Sequence, residues 1–166
     1  MIGRGAAITF LLWNATVRSC AFLDNNVTIP SLQSQNAYIA GGAIYASASA
    51  LTVTGSTFRR NSLWSPTQSF GGAIYTAYYR LTMRNCTLTG NVALVNGTSG
   101  NAAKGGAIYF GGTLGGLTVS GTTIEGNAAT VAQTQYAGTA TACMSDCRVR
   151  VWVSGMGLGL GLEVSV

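Results

Sequence analysis

The sequence predicts an all-β protein, a parallel β-solenoid of about four coils, on the strength of three observations. A phrase of sequence recurs every 30 to 36 residues. It begins with Gly-Gly-Ala-Ile-Tyr and ends at an Asn that lies three residues after an apolar residue. Its residues are those favoured in strands, and its Leu-Thr-Val segments alternate in hydrophobicity. No two-residue hairpin turn separates the short strands of one copy, so we expect each strand to pair with its equivalent in the next copy.

The constant spacing inside the phrase predicts which residues point into the solenoid. From the Ile to the apolar residue before the closing Asn, the distance is 14 residues in three copies and 16 in the last. We therefore expect equivalent residues to stack from coil to coil, about 4.8 Å apart. The predicted stacks are Ile8, Ile44, Ile74 and Ile108; Ala15, Leu51, Leu81 and Leu117; Val17, Val53, Met83 and Val119; and Phe22, Phe58, Leu88 and Ile124.

The closing asparagines are predicted to form a structural ladder at one corner of the solenoid. An Asn side chain can satisfy backbone groups that a bend leaves unpaired, and it can bond to the Asn of the coils above and below. The paired glycines suit corners that need a positive φ or a close approach between coils. The ladder residues are Asn25, Asn61, Asn91 and Asn127.

The paired phrases resemble the repeats of the chlamydial polymorphic membrane proteins, whose marks are Gly-Gly-Ala-Ile and Phe-x-x-Asn. The resemblance covers about residues 5–127, with three Gly-Gly-Ala-Ile copies and two strict Phe-x-x-Asn copies. Leu88 and Ile124 replace Phe in the other two copies, and the first copy lacks its second Gly. The resemblance implies a right-handed parallel β-helix of the pectin-lyase-like kind, exposed on a cell surface, with adhesion as the usual role.

The chain is predicted to divide into β-helix coils over residues 1–142 and an irregular or low-complexity tail over residues 143–166. Within that tail, residues 148–153 alternate in hydrophobicity, as a terminal strand would, and the Gly-Leu run that follows is too short to span a bilayer. Residues 1–13 fit either a signal-peptide core or a first coil, and the position of Ile8 favours the coil. A solenoid that begins without a cap leads us to expect that adjacent coils of a longer chain are missing.

Three polar segments of variable length, residues 26–40, 62–70 and 92–104, separate each Asn from the next Gly-Gly. We expect them to leave the solenoid at one corner as surface loops. If each repeated Ile points inward, strand alternation turns the following residue outward. Tyr45, Tyr75 and Tyr109 are then predicted to form an exposed ladder, a candidate binding surface for sugar rings or an apolar partner. The alternatives are that the rings only stack on each other, that loops cover them, or that they point inward.

Charged residues make up only 8% of the chain, with a net charge of +5. The one basic cluster, Arg59-Arg60, fits either an anionic partner or two solvated side chains, and the second interpretation is favoured. Nucleic acid is therefore not predicted as a partner, because phosphate binding needs several basic groups on one face.

The chain has four cysteines, but it has no histidine and only one closely spaced cysteine pair, which argues against a zinc site. Cys20 and Cys86 occupy the same repeat position two coils apart, about 10 Å by strand spacing, and are predicted to be small buried residues rather than disulfide partners. Cys143 and Cys147 fit a local bridge or a pair of metal ligands. Four Asn-x-Ser/Thr sequences are candidates for N-glycosylation in a secreted protein, although chance alone also explains them in a Thr-rich chain. Their asparagines are Asn14, Asn26, Asn85 and Asn96.

Catalysis finds little support in the sequence. Glycan-cleaving β-helix enzymes need clustered carboxylates, and the four acids of this chain are Asp24, Glu125, Asp146 and Glu163. Asp24 and Glu125 belong to coils predicted to be roughly 14 Å apart, beyond the separation of about 9.5 Å that a catalytic pair allows. With no His in the chain there is no triad, and no cofactor is predicted.

The sequence therefore predicts a non-catalytic, adhesin-like β-helix scaffold that is extracellular or on a cell surface, the outer membrane in a bacterium. Its expected partner is a glycan or a cell-surface protein. One alternative is a fragment of a carbohydrate-active β-helix enzyme, a polysaccharide lyase or hydrolase, whose active coils lie outside this segment. Another is a purely structural wall protein.

Overall fold

The computed structural model describes residues 2–3, 7–11, 13–29, 38–47, 50–77, 80–96, 102–111 and 116–132. Over these ranges the chain forms twenty short strands and no helix. The strands are β1 (Ile2–Gly3), β2 (Ile8–Leu11), β3 (Ala15–Arg18), β4 (Ala21–Leu23), β5 (Asn26–Thr28), β6 (Tyr38–Ala40), β7 (Ile44–Ser47), β8 (Ala50–Thr54), β9 (Thr57–Arg59), β10 (Ser62–Ser65), β11 (Gln68–Phe70), β12 (Ile74–Thr76), β13 (Arg80–Arg84), β14 (Thr87–Thr89), β15 (Val92–Asn96), β16 (Ala102–Lys104), β17 (Ile108–Phe110), β18 (Leu117–Ser120), β19 (Thr123–Glu125) and β20 (Ala128–Ala132).

Each run of five strands makes one coil, and equivalent strands of successive coils form five parallel sheets of four strands. We name them sheet I (β1, β6, β11, β16), sheet II (β2, β7, β12, β17), sheet III (β3, β8, β13, β18), sheet IV (β4, β9, β14, β19) and sheet V (β5, β10, β15, β20). The described residues form a right-handed parallel β-helix of four coils, which confirms the predicted fold class.

The register between coils is the one that the repeat spacing predicts. Ile44 lies opposite Ile8 on one side and opposite Ile74 on the other, and Ile74 in turn pairs with Ile108. The other three predicted stacks are aligned in the same way, from Ala15, Val17 and Phe22 onward. Residues 8–11 therefore belong to the first coil, as the position of Ile8 indicates.

The core consists of these aligned stacks. Burial alternates along the strands, so that in β8 Leu51 and Val53 are buried while their neighbours are half-exposed. Phe22 and Phe58 lie face to face with ring centroids 4.7 Å apart, and Phe58 has no exposed surface. At about 25 cal/mol per Å² of apolar surface removed from water, such stacks supply most of the driving force for folding.

The two residues of the Gly-Gly pair between sheets I and II must be glycine for different structural reasons. Gly71 has a φ of 72°, in the left-handed region, and a Cβ there would collide with the carbonyl of Ile74. A Cβ on Gly72 would collide with the carbonyl oxygen of Gly106 in the next coil. The first glycine is therefore required by backbone conformation, and the second by the close approach of successive coils.

Two further corners of each coil also use the left-handed conformation, at the same position in all four coils. The corner between sheets III and IV has φ values from 50° to 57°, and the corner between sheets IV and V from 53° to 61°. Side-chain-bearing residues there cost about 1–2 kcal/mol each relative to glycine. The two sets of corner residues are Ser19, Gly55, Asn85 and Gly121, and Asp24, Arg60, Gly90 and Gly126.

The expectation that residues 26–40, 62–70 and 92–104 are surface loops is wrong for the described parts of these segments. They supply the strands of sheets V and I, and their inward positions hold buried residues such as Leu63, Ser69 and Val95. The inward sites accept Ser and Ala as well as larger apolar residues, so the segments read as polar loops in the sequence. Residues 30–37 and 97–101 lie outside the described residues.

The predicted tail at residues 143–166, its candidate strand at residues 148–153, and Cys143 and Cys147 all lie outside the described residues. The same is true of residues 133–142, the last part of the predicted β-helix region. Among the described residues, none forms a helix long and apolar enough to cross a membrane.

Candidate functional site

The four predicted ladder asparagines lie at the corner between sheets IV and V, one above the other. The Nδ2 of each of the first three asparagines donates to the Oδ1 of the next, at 2.7 Å from Asn25, 2.8 Å from Asn61 and 2.7 Å from Asn91. Those same Oδ1 atoms also accept the backbone N–H of the preceding asparagine. Asn61 and Asn91 have no exposed surface, so the ladder satisfies polar groups inside the protein rather than offering them to a ligand.

A second polar ladder, which the sequence reasoning missed, lies at the corner between sheets III and IV. The hydroxyl of Ser56 accepts the backbone N–H of Cys20 at 3.2 Å, and the hydroxyl of Thr122 accepts that of Cys86 at 3.2 Å. In each of the four coils the side chain also donates to the carbonyl two residues earlier. The sequence does carry a sign of this ladder: two cysteines, a serine and a threonine share one repeat position. All four are small residues whose S–H or O–H group can donate one hydrogen bond. Cys20 and Cys86 are both free thiols, as predicted. Cys86 is buried between neighbouring coils, but the prediction of a buried residue is wrong for Cys20, which is exposed because it belongs to the first described coil and has a neighbouring coil on one side only.

The three tyrosines do stack, but the expectation that they are exposed is wrong for Tyr45 and Tyr75, which are buried. Neighbouring rings are nearly parallel, with centroids 5.0 Å apart between Tyr45 and Tyr75 and 5.4 Å apart between Tyr75 and Tyr109. Only 4% of Tyr45 and 8% of Tyr75 is exposed, and Tyr109 is half-buried. Burial removes Tyr45 and Tyr75 as a free surface for sugar rings, so the predicted ladder of three exposed rings is not present.

Side chains from sheet I cover the tyrosines. Phe70 packs on Tyr109 with ring centroids 5.0 Å apart, and Tyr38 lies 6.2 Å from Tyr75. Both belong to the outward side of sheet I, which together with the outward side of sheet II forms a cluster separate from the main core. The Gly-Gly corner is therefore concave, so that two outward faces bury each other. Burial and the neighbouring Tyr38 raise the pKa of Tyr75 well above its ordinary value.

The charged groups of the described coils offer no catalytic arrangement. Arg60 donates to both carboxylate oxygens of Asp24 in the preceding coil, at 2.6 and 2.7 Å, and this hydrogen-bonded ion pair holds the pKa of Asp24 below its usual value. Both side chains are more than half exposed. The only other described carboxylate, Glu125, belongs to the fourth coil. No group of three or more potential metal ligands occurs among the residues that the structure describes.

All four candidate glycosylation asparagines are exposed. At Asn26 the sequon is ordered, because the Thr28 hydroxyl donates to the side-chain oxygen of Asn26 at 3.2 Å. Asn85 instead lies at a left-handed corner with a φ of 52°, and the middle residue of its sequon is the buried Cys86. N-glycosylation stays a prediction at each site.

The outer face of sheet V carries an open depression of about 440 Å³ that the sequence reasoning also missed. Trp64 lies at its centre, half-exposed, with Thr28 and Leu94 directly opposite it on the two neighbouring coils. The sequence hides this surface because the three contributing segments look like unrelated polar loops. The lining residues are Asn26, Thr28, Ser62, Leu63, Trp64, Val92 and Leu94.

Comparisons of the chain with protein-family models, with curated proteins and with solved structures gave no match.

Proposed function

We propose that this chain is part of a non-catalytic scaffold, extracellular or on a cell surface, that uses its outward side chains for adhesion. The observation that carries the proposal is the contrast between the repeated core positions and the outer face of sheet V. The inward positions of sheets II to IV repeat similar residue types from coil to coil, as the aligned isoleucines of sheet II do, whereas the outward position of sheet V changes from Thr28 to Trp64 to Leu94. In such an arrangement the backbone structure is the same in every coil, while the side chains on the outer face differ from coil to coil.

The resemblance of the repeats to those of the chlamydial polymorphic membrane proteins supports an adhesive role on a cell surface. The charge distribution of the described coils agrees with a non-catalytic role, because Asp24 is engaged by Arg60 and Glu125 belongs to a coil roughly 14 Å away. That separation exceeds the distance of about 9.5 Å at which two carboxylates cooperate in glycoside cleavage. The described coils therefore serve better as a binding surface than as an active site.

The test is cell retention by the purified full chain immobilised on beads. Folded protein should retain host or neighbouring cells above the level of beads coated with the same chain after thermal unfolding. Surface labelling of intact producing cells with an antibody against the chain tests the localisation. Equal retention by folded and unfolded protein, or labelling only after the cells are lysed, would contradict the proposal.

A further inference from the structure

The outer face of sheet V carries a grid of outward side chains, and those of three successive coils line the depression. Asn26 and Thr28 lie on the first coil, Ser62 and Trp64 on the second, and Val92 and Leu94 on the third. Directly opposed residues on neighbouring strands are close enough for their side chains to touch, and diagonal neighbours lie within reach of a large aromatic ring. The indole of Trp64 is therefore bordered on both sides by the side chains of adjacent coils.

The chemistry of this grid is specific. It combines one large aromatic ring and two aliphatic side chains with two hydroxyl groups and one amide, and it contains no charged residue. Hydroxyl and amide side chains both donate and accept hydrogen bonds. A depression of about 440 Å³ falls within the range of about 300–1,000 Å³ that is typical of small-molecule sites.

We propose that the outer face of sheet V binds an uncharged carbohydrate, with the Trp64 ring stacked on the apolar face of one sugar unit. Asn26, Thr28 and Ser62 are placed to exchange hydrogen bonds with its hydroxyl groups, while Val92 and Leu94 extend the apolar contact. This inference rests on the proposed adhesive function and names the ligand class of the surface. Because the depression is open, we expect roughly millimolar affinity for one site, with stronger retention when many copies act together.

Other occupants fit the face less well. An anionic polymer needs several basic groups to replace its counterions, and none of the lining residues is charged. A stable protein partner, or a second copy of this chain, needs about 800 Å² of interface on each side with an apolar centre. The grid offers three large apolar side chains among three polar ones, which suits a small amphipathic ring better than a protein surface.

The experiment uses the full chain produced in a host that does not glycosylate it, since a glycan on Asn26 would cover the same face. An array of uncharged oligosaccharides built from glucose, galactose, mannose and N-acetylglucosamine is probed beside sialylated glycans and heparin. Binding of at least one uncharged oligosaccharide is then quantified by titration of the immobilised glycan. The inference is overturned if no uncharged glycan binds, or if only the charged glycans bind.

Variants connect the binding to the face. Trp64→Ala should weaken binding by about tenfold or more, as truncation of a central aromatic anchor does. Trp13→Ala is the matched control, because Trp13 is 81% exposed and lies outside sheet V, and it should change binding by less than about twofold. Thr28→Val removes one exposed hydroxyl with little change of shape and should weaken binding even if Trp64→Ala fails to fold. The inference is overturned if Thr28→Val binds as well as the natural sequence and Trp64→Ala either binds unchanged or fails to fold. It is also overturned if Trp64→Ala and Trp13→Ala lose binding equally.

The cell-retention test separates failure of this inference from failure of the proposed function. If beads carrying Trp64→Ala retain cells as well as the natural sequence does, adhesion stands and the glycan site is wrong. If free uncharged glycans bind through Trp64 but cells are not retained, the glycan site stands and the adhesive role is wrong. Concentration-dependent dimerisation that Trp64→Ala abolishes would identify a second copy of the chain as the occupant and overturn the inference.

Discussion

Replacing Asn61 by Ala tests how much the asparagine ladder stabilises the β-helix. The Asn61 amide makes four hydrogen bonds: its Nδ2 donates to the carbonyl of Phe22 at 3.0 Å and to Asn91 at 2.8 Å. Its Oδ1 accepts both the backbone N–H and the Nδ2 of Asn25, at 3.2 and 2.7 Å. The substitution removes all four bonds, and Asn61 is fully buried, so water cannot replace them at the site itself.

The expected cost follows from the groups that lose their partners. The Phe22 carbonyl loses a donor and the Asn25 N–H loses its acceptor, whereas the Oδ1 of Asn91 keeps the Asn61 backbone N–H. Each buried group left unpaired costs about 1–3 kcal/mol, and Asn25 is only half-buried, so that water reaches it more easily. We therefore expect Asn61→Ala to lower the free energy of unfolding by about 2–4 kcal/mol. At a urea slope of about 2 kcal/mol per M, the midpoint falls by about 1–2 M.

The matched control is Asn25→Ala at the equivalent position of the first coil. The side chain of Asn25 makes one hydrogen bond, to Asn61, so the expected loss is about 0.5–1.5 kcal/mol. Urea titrations of the full chain followed by far-UV circular dichroism measure both. Equal midpoint shifts for the two variants, or no shift for Asn61→Ala, would refute the reasoning that burial and bond number set the contribution of each step in the ladder.

Three further predictions concern the corners, the core and the tyrosine stack. Gly72→Ala should lower the free energy of unfolding by more than about 3 kcal/mol, because its Cβ would collide with the backbone of the next coil, whereas Gly55→Asn, at an open corner with a φ of 57°, should cost less than about 1 kcal/mol in the same urea titration. Thr76→Val should raise the thermal midpoint and stabilise by about 1 kcal/mol, since the buried Thr76 hydroxyl has no hydrogen-bond partner; an unchanged or lower midpoint would contradict this. Because burial raises the pKa of Tyr75 above the ordinary 10.0, the folded state holds a proton that the unfolded chain loses, so stability should fall as the pH rises past 10.0. Tyr75→Phe should reduce that fall when urea midpoints are compared across this pH range, and identical pH dependence in both proteins would exclude a role for Tyr75.

The sequence predicted the parts of the fold in which one residue type repeats. The Ile, Leu, Val and Phe positions recur at fixed spacing, and a one-residue slip would turn all of them outward, so the register between coils follows from the spacing. The Ile44, Ile74 and Ile108 pairings show this directly. The strands of sheets I and V were not predicted because their inward positions accept different residue types. One inward site of sheet I, for example, holds Ile39, Ser69 and Ala103 in successive coils. A position that only needs a small or medium side chain leaves no hydrophobic pattern to read.

The burial of the tyrosines could not be predicted from strand alternation, since alternation says only which side of a strand a residue occupies. Whether the outward side meets water depends on the direction in which the chain bends at the preceding corner. Here the Gly-Gly corner is concave, which brings Phe70 of sheet I over Tyr109 of sheet II. The left-handed φ of Gly71 and the bare backbone of Gly72 are what permit so tight a bend.

This bend also decides where a ligand can bind. Tyr45 and Tyr75, beside the concave corner, are buried against neighbouring rings, so their stacking stabilises the protein and leaves them little exposed surface. The outward side of sheet V follows a corner built on Asp24 and its equivalents instead, and no aromatic ring among the described residues packs on Trp64. The half-exposed part of the Trp64 indole is therefore available to contact a partner. Because the concave corner lies beside sheet II, the candidate binding surface is the Trp64 indole of sheet V and not the tyrosine ladder of sheet II.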